Sequence, residues 1–197
     1  KGTMILTPFG ERPIESLRAG DTVITKDNGP QTILWAALST LCWPGRSDCE
    51  KPVQIRSGAL GRRLPERNLC VSPQHRILVQ DPGSGCGVFV PAKSLVDLPG
   101  VRVMQGKKHV IYYHLLLEKH EIVTANGVSS ESFYPGKQAL RMLSLKRRKD
   151  LSEVCNTKGY GPPARKCLSV KKARELVKLI ARSGNTFCTN GLDQIAA

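Results

Sequence analysis

The chain has 197 residues and contains 30 lysines and arginines against 16 acidic residues. This length allows one domain, or one domain with an appendage, and a hydrophobic content of 40% is enough for a packed core, so a wholly disordered chain is excluded. No apolar run approaches the roughly 18 residues of a membrane-spanning helix, and no repeating period indicates a coiled coil or a repeat array.

The first 135 residues predict many short strands separated by glycine, proline and asparagine. We expect strands at residues 4–7, 22–25, 31–41, 53–57, 69–72, 76–80, 88–90, 101–105, 109–117 and 121–125. Residues 26–29 predict a hairpin turn, because Asn28-Gly29 tolerates the positive φ angles of a type I′ turn. Single helical turns are expected at residues 13–17 and 92–98. This pattern is typical of an all-β domain.

The character of the sequence changes after residue 135, where positive charge accumulates. Residues 136–197 contain 14 basic and 4 acidic side chains, so ten of the fourteen net positive charges belong to this tail. Residues 137–143 favour a short helix. A longer helix is predicted at residues 169–181, with Ser169 as its N-cap. Apolar residues recur on one face of that helix: Val170, Ala173, Leu176, Val177 and Ile180.

Charge and composition together indicate two parts, residues 1–135 and a basic tail of residues 136–197. The tail can be a solvated helical extension, or it can contact the phosphates of nucleic acid or an anionic membrane surface. Residues 146–149 read Lys-Arg-Arg-Lys, which suits a phosphate backbone, but the tail has few aromatic residues for base stacking.

The chain contains seven cysteines, so at least one thiol is unpaired or is joined to another molecule. Cys42 and Cys49 flank a loop whose two ends they can bridge. No pair has CxxC spacing and no Cys/His cluster has the spacing of a zinc site, so we expect neither a metal nor a cofactor. The cysteine pattern leaves the redox compartment, and with it the localisation, open.

Three histidines lie beside strand ends or turns, close to small hydroxyl residues: His75, His114 and His120. Ser72 and His75 are three residues apart, and a turn at Pro73-Gln74 would direct both side chains toward one point. His114 and His120 are six residues apart, so a continuous strand would place them on one face, whereas a bend between them would not. No nucleophile elbow, P-loop or dinucleotide-binding motif accompanies them, so a hydrolase that acts on outside substrates is not indicated.

Three blocks of sequence, taken in chain order, resemble those of one known family. The first is residues 2–25, with Gly20-Asp21 leading into a strand. The second is residues 71–79, where Ser72-Pro73-Gln74-His75 is similar to a Thr-x-x-His block, and the third is residues 113–128, with His114 and His120. These blocks resemble the Hint fold family, which is shared by Hedgehog autoprocessing domains, inteins and bacterial intein-like domains, and the bacterial group most of all.

The resemblance covers about residues 2–134 and implies a fold. We expect an all-β, Hint-type horseshoe of short, mostly antiparallel strands with pseudo-two-fold subdomains, followed by a basic, α-helical C-terminal extension. It also implies self-cleavage: in this family a Cys or Ser at the start of the domain attacks the carbonyl before it, and the peptide bond becomes a thioester or ester.

The resemblance also implies roles for four residues of this chain. His75 would protonate the departing amine, and Ser72 would hold the scissile peptide away from its relaxed geometry. His114 would help to activate the nucleophile or to settle the protonation of the thioester. His120 would fix the local structure or transfer protons. The reaction would be a single turnover within the chain rather than repeated catalysis.

Three departures from the family pattern limit what the chain is expected to do. The nucleophilic Cys would stand a few residues upstream of Lys1, so we expect the given chain to be a fragment, a processed product or one whose beginning is missing. Glu131-Ser132 stands where inteins carry His-Asn, and serine cannot cyclise to a succinimide, so splicing is not expected. No Asp lies between Gly29 and Ser47, where animal Hedgehog domains carry the Asp that activates a sterol.

The expected function is therefore release of an N-terminal passenger of the same precursor by a monomer. Water or an amine is the expected acceptor of the acyl group, in preference to a sterol. The alternative is a catalytically inactive Hint-like scaffold whose basic tail binds nucleic acid or an anionic surface. A third hypothesis is lipid or sterol conjugation, with the helix at residues 169–181 binding the acceptor.

Overall fold

The computed structural model describes residues 1–43, 50–155, 159–184 and 186–188. Within them the chain forms thirteen strands and three α-helices, with short 3₁₀ turns at Ile14–Ser16 and Ala92–Ser94. The strands are β1 (Met4–Thr7), β2 (Gly10–Pro13), β3 (Thr22–Thr25), β4 (Gly29–Thr32), β5 (Trp35–Cys42), β6 (Val53–Ile55), β7 (Leu69–Val71), β8 (Arg76–Gln80), β9 (Gly87–Pro91), β10 (Val101–Val103), β11 (His109–Leu116), β12 (Ile122–Ala125) and β13 (Val128–Glu131). The helices are α1 (Lys137–Met142), α2 (Leu145–Val154) and α3 (Val170–Ser183).

The strands form three sheets in which neighbouring strands run antiparallel. The largest has the order β2-β1-β12-β13-β8-β9, with β3 paired to β12 and β4 paired to β3. A second sheet has the order β10-β6-β7, and β5 and β11 form a two-stranded ribbon. A single parallel bridge, Phe89↔Cys167, joins the tail to the edge of the large sheet. The predicted fold class, mostly antiparallel strands followed by a C-terminal helix, is confirmed.

The structure corrects some local predictions. The strand predicted at residues 31–41 is two strands, β4 and β5, that belong to different sheets. Strands β2 and β13 were missed because their sequences, Gly-Glu-Arg-Pro and Val-Ser-Ser-Glu, have low intrinsic strand preference and form only through pairing with β1 and β12. The hairpin at residues 26–28 forms, but only Gly29 has a positive φ, so its turn is not type I′.

One apolar core joins the large sheet, the three-stranded sheet and α3. Its strand residues include Val79, Val88 and Val90, and α3 contributes Val177 and Ile180. Helix α3 begins after Ser169, whose side chain accepts a hydrogen bond from the N–H of residue 172, and it ends at a left-handed glycine. The helix predicted at residues 169–181 is therefore present, and its apolar face packs on the β-sheets.

The two shorter helices pack on the β5–β11 ribbon. Leu143 and Leu151 are buried against Trp35, Leu116 and Phe133. Helix α1 matches the short helix predicted at residues 137–143, whereas α2 was not predicted. No helix in the part of the chain that the structure describes is long and apolar enough to cross a membrane.

The predicted bridge between Cys42 and Cys49 falls partly outside the residues that the structure describes. Cys42 is exposed at the end of β5. Cys49 lies outside the described residues. The pairing of these two cysteines therefore stays a prediction.

Candidate functional site

His75 lies in a tight turn that leads into β8. Its N–H donates to the carbonyl of Ser72 over 3.1 Å, and its own carbonyl accepts from the N–H of Ala92 over 2.8 Å. The N–H of Lys93 donates to the carbonyl of Pro73 over 2.9 Å, so the turn is fixed to the neighbouring 3₁₀ turn. The turn predicted at Pro73-Gln74 is therefore present. The half-buried Ser72 hydroxyl forms no hydrogen bond with any residue the structure describes.

The His75 imidazole contacts two residues of β13. Its Nε2 lies 2.5 Å from the Ser130 Oγ, and its Nδ1 lies 3.9 Å from a carboxylate oxygen of Glu131. Pairing of β13 with β8, at Ser130↔Ile77, sets this register. Burial lowers the pKa of His75 below its ordinary value, with Arg76 acting in the same direction and Glu131 opposing it. The ring is therefore neutral at pH 7, although 30% of the side chain is exposed.

Glu131 is the anionic centre of the site. Its carboxylate accepts from the backbone N–H of Arg76 over 2.8 Å and from the Arg76 guanidinium over 2.9 Å. The His120 Nε2 lies 3.4 Å from the same carboxylate. Burial alone would raise the pKa of Glu131, but His120, His75 and Arg76 together lower it below its ordinary value. A negative charge therefore persists in a side chain that is only 9% exposed.

His120 is completely buried and is held on both sides of its ring. Its Nδ1 accepts a hydrogen bond from the backbone N–H of Ala164 over 3.2 Å. Its ring packs on Phe89 and Tyr134, with centroid separations of 5.4 and 5.0 Å. Because Nδ1 accepts this hydrogen bond, the geometry assigns the ring N–H to Nε2, the nitrogen that faces Glu131.

His114 lies on β11 opposite Ala37 of the ribbon. Its Nε2 is 3.0 Å from the Ser39 Oγ, and its ring meets the edge of the Phe133 ring at a centroid separation of 5.0 Å. Burial lowers the pKa of His114 to about 4, with a smaller contribution from the charge of His75. His114 is therefore a neutral imidazole at pH 7, near enough to His75 for the two to interact electrostatically.

The structure brings the three predicted histidines into one region, but His114 and His120 are not brought there by a shared strand. His114 and His120 do not share a continuous strand, because β11 ends at Leu116 and β12 begins at Ile122. The residues between them carry the chain from the ribbon to the large sheet. His75 therefore interacts electrostatically with His114 on the ribbon and with His120 next to the large sheet. Among the described residues, no group of three or more His, Cys, Asp or Glu side chains is arranged to hold a metal ion.

Sequence reasoning missed three polar residues of this region, namely Ser39, Ser130 and Glu131. Asn126-Gly127 could have revealed two of them, because both residues adopt positive φ angles and close a tight hairpin that returns β13 beside β12. Ser132, which stands where inteins carry Asn, accepts from the N–H of Glu121 over 3.0 Å and so fixes this hairpin. Nothing local in the sequence indicates Ser39, since its contact with His114 depends on the ribbon.

The start of the chain is joined to the same hairpin. The Asn126 side chain accepts from the N–H of Met4 over 2.7 Å, and the Asn126 N–H donates to the Met4 carbonyl over 2.8 Å. Asn126 is 1% exposed, so these bonds are shielded from water. The hairpin that carries Ser130 and Glu131 therefore also holds the first strand of the protein.

A cavity of about 260 Å³ opens beside His114. Glu15, Arg18 and Arg147 supply charged groups to its lining, and Arg147 belongs to α2 in the tail. The Glu15 carboxylate also accepts from the N–H of Gly2 over 2.8 Å, so one lining residue is bonded to the start of the chain. The cavity lining therefore includes a neutral imidazole and a carboxylate that binds the backbone near the start of the chain.

Comparison with known proteins identifies the family. The chain is similar to the solution structure of a bacterial intein-like domain from Clostridium thermocellum, at 17% identity and a TM-score of 0.45, over 67% of this chain and 95% of that one. It is similar to the crystal structure of the MchDnaB-1 intein at 10% identity and a TM-score of 0.44, over 67% of this chain and 97% of that one. A comparison with curated proteins gives no match. The sequence profile described as Hint domain matches residues 1–137, more than half of the chain, and this protein therefore belongs to the Hint domain family.

Proposed function

We propose that this chain is the self-cleaving part of a precursor and that it releases an N-terminal passenger through a thioester. Membership of the Hint family supports an autoprocessing or splicing-type domain in general. The observation that carries the finer proposal is the pairing of a neutral His75 with Ser130 and Glu131, on the hairpin that also binds the first strand. The nucleophile is a Cys a few residues upstream of Lys1.

In the first step the Cys sulfur attacks the carbonyl carbon of the preceding residue. A C–S bond forms, the C–N bond breaks, and the thiol proton reaches the departing amine nitrogen by way of His75. The neutral His75 accepts this proton and the imidazolium returns it, a role that the nearby Glu131 carboxylate favours by stabilising the charged ring. His114, a second neutral imidazole, assists the removal of the thiol proton.

Ser72 supplies the polar contact that this step needs at the scissile peptide. Its hydroxyl is half-buried, is next to the His75 turn and forms no hydrogen bond with any described residue. A hydrogen bond to the peptide would hold it away from its relaxed geometry and stabilise the charge that develops on the carbonyl oxygen. Ser72 is therefore proposed to bind the peptide rather than to attack it.

In the second step water or a small amine attacks the thioester carbonyl from the cavity beside His114. The new C–O or C–N bond forms, the C–S bond breaks, and the acceptor proton passes through His114 to the leaving thiolate. A volume of about 260 Å³ is enough for several water molecules or a small amine. Splicing is not proposed, because the Ser132 side chain holds the β12–β13 hairpin and cannot cyclise.

The test is a precursor in which a reporter passenger and the Cys block precede Lys1. We expect cleavage at the bond before that Cys, acceleration by hydroxylamine or an added thiol, and a passenger that carries the trapping group at its C-terminus. A matched precursor with Ala in place of the upstream Cys should remain intact. Cleavage that persists in the Ala precursor, or none in the Cys precursor, would contradict the proposal.

A further inference from the structure

We infer that residues 159–168, here named the strap, lock His120 in one tautomer and so make the C-terminal tail part of the candidate site. The strap lies beyond the residues that match the Hint profile. The consequence for cleavage rests on the proposed function, whereas the tautomer does not. His120 then acts as a positioning residue for His75 and not as a proton carrier.

The strap is anchored to the β-sheets at its N-terminal end by two tyrosine hydroxyls. The Tyr160 hydroxyl donates to the carbonyl of Leu117 over 2.9 Å, directly after β11. The Tyr134 hydroxyl donates to the carbonyl of Gly161 over 2.9 Å. Tyr134 also packs on the rings of His120 and Tyr160, so this anchor is in contact with the histidine that it positions.

The C-terminal end of the strap is anchored to the edge of the large sheet. The N–H of Phe89 donates to the carbonyl of Lys166, and the N–H of Leu168 donates to the carbonyl of Phe89, each over 2.9 Å. The Arg165 guanidinium forms an ion pair with Asp27 at 2.6 Å. The strap is therefore held at both ends, on either side of His120.

The sequence between the anchors directs one N–H at His120. Pro162 and Pro163 have fixed φ angles and no N–H, so the first backbone donor after them belongs to Ala164. That N–H donates to the His120 Nδ1 over 3.2 Å. Ala164 is partly buried and packs against the apolar cluster formed by Leu78, Phe89 and Ile122.

The donor from the strap decides what His120 can do. With its Nδ1 occupied as an acceptor, the ring keeps its proton on Nε2, 3.4 Å from Glu131. Protonation of Nδ1 would place two N–H groups against each other in a fully buried site, which costs free energy. His120 Nε2 thus faces the Glu131 carboxylate at 3.4 Å without forming a hydrogen bond to any described residue, and we infer that the strap acts on His75 through the position of these two residues.

The test uses the 197-residue chain itself, labelled with ¹⁵N at histidine. Long-range ¹H–¹⁵N spectra at pH 7 should show the His120 Nε2 protonated and its Nδ1 unprotonated. Ala164→Pro removes the donor, and the matched control Ala164→Gly keeps it. We expect the signature to be unchanged in A164G and to be lost or mixed in A164P. The signature of a protonated Nδ1 in the unaltered chain, or the same spectrum in A164P as in A164G, would overturn the inference.

A second variant decides the matter if A164P does not fold. Arg165→Gln removes the ion pair with Asp27, one of the anchors of the strap, but leaves every backbone donor in place. It should therefore change the His120 signature partly, in the direction expected for A164P. In a cleaving precursor, A164P should slow passenger release by about 10–100-fold through misplacement of Glu131, whereas A164G should not. A precursor that never cleaves refutes the proposed function and leaves the tautomer measurement valid. An R165Q spectrum identical to that of the unaltered chain refutes the inference that the strap fixes the His120 tautomer.

Discussion

Glu131 and His114 are both ionisable side chains that are largely shielded from water, yet one is charged at pH 7 and the other is neutral. Glu131 keeps its charge because Arg76 and two histidines surround its carboxylate. His114 faces a serine hydroxyl and an aromatic ring, neither of which stabilises a positive charge enough to offset burial. The partners of each residue, more than its depth, therefore set its protonation state.

The neutral state of His114 predicts a stability that falls in mild acid. In the unfolded chain His114 takes up a proton near its ordinary pKa of 6.5, whereas in the folded chain it does so near about 4. The folded state is therefore penalised progressively as the pH falls from 6.5 to about 4, by on the order of 2 kcal/mol since the ring is partly exposed. Urea unfolding of the unaltered chain and of His114→Gln across this range measures it.

The variant should lose part of this pH dependence, because glutamine does not titrate. His109→Gln, at the exposed start of β11, is the matched control and should follow the unaltered chain. His75 acts in the same direction, so a smaller dependence remains in H114Q. Equal slopes in all three chains would contradict the assignment of a neutral, largely buried His114.

Removal of the Glu131 charge should destabilise the folded chain at neutral pH. Glu131→Gln leaves the Arg76 guanidinium without its anionic partner, and we expect a loss of about 1–3 kcal/mol in the free energy of unfolding. Since the pKa of Glu131 is lowered on folding, its contribution is complete above the ordinary value of 4.5 and disappears as the pH falls through the lower, folded-state value. Denaturant unfolding at pH 7 and at pH 3 measures both.

Glu118→Gln, on an exposed residue after β11, is the control for the Glu131 prediction. It should change the free energy of unfolding by less than about 0.5 kcal/mol at either pH. A Glu131→Gln chain as stable as the Glu118→Gln chain at pH 7 would show that the ion pair with Arg76 contributes nothing.

At the scale of single residues, the sequence indicated the polar groups that lie on local turns and little else. His75 and Ser72 could be placed together because they are three positions apart and a proline lies between them. Ser39, Ser130 and Glu131 could not, because each meets its histidine only across a strand pairing of long sequence separation. Such pairings have no local signal, and the burial of serines in β13 runs against strand propensity.

Among the elements, α3 was the most predictable because its apolar period, cap and glycine stop are all local signals. One interpretation of the tail was a helical extension surrounded by solvent, and this describes only the outer face of α3. Its inner face is buried in the main core, at Ala173, Val177 and Ile180. Helix α2 was missed because its charged residues give it little apolar periodicity, and only Leu151 is buried.

The packing of α3 predicts unequal effects for two neighbouring apolar residues. Ile180 is completely buried in the main core, whereas Leu179 is 54% exposed. Ile180→Ala should lower the free energy of unfolding by about 2–5 kcal/mol, because it opens a cavity at the contact with the sheets. Leu179→Ala should change it by less than about 0.5 kcal/mol. Urea denaturation of both variants measures this, and similar losses would mean that α3 does not pack as described.

At the scale of the whole molecule, the tail and the strands share their apolar clusters. Helix α3 completes the main core, and Leu143 and Leu151 complete the cluster on the β5–β11 ribbon. The boundary predicted at residue 135 separates two kinds of composition, but apolar contacts cross it at several points. The family profile, which ends at residue 137, therefore covers the region of the candidate histidines without the helices that pack against it.

A chain shortened to residues 1–137 should consequently fail to fold as a unit. It would expose the strand residues that α3 and α2 cover, and so lose a large share of the apolar burial that stabilises the sheets. We expect poorly dispersed amide NMR signals and no cooperative urea transition. Lys171→Gln in the full chain, on the exposed face of α3, is the control and should retain both properties. A well-dispersed spectrum from the shortened chain would contradict this view of the tail.

The role of His75 at the N-terminal junction is measured most directly by the rate of passenger release from the Cys precursor. His75→Ala should slow the first step by about 10²–10⁴-fold, the range typical of general acid–base catalysis, while His109→Ala should release the passenger at the rate of the unaltered precursor. Both variants should give circular dichroism spectra of a folded chain. If the folded His75→Ala precursor cleaves as fast as the His109→Ala precursor, His75 does not carry the proton.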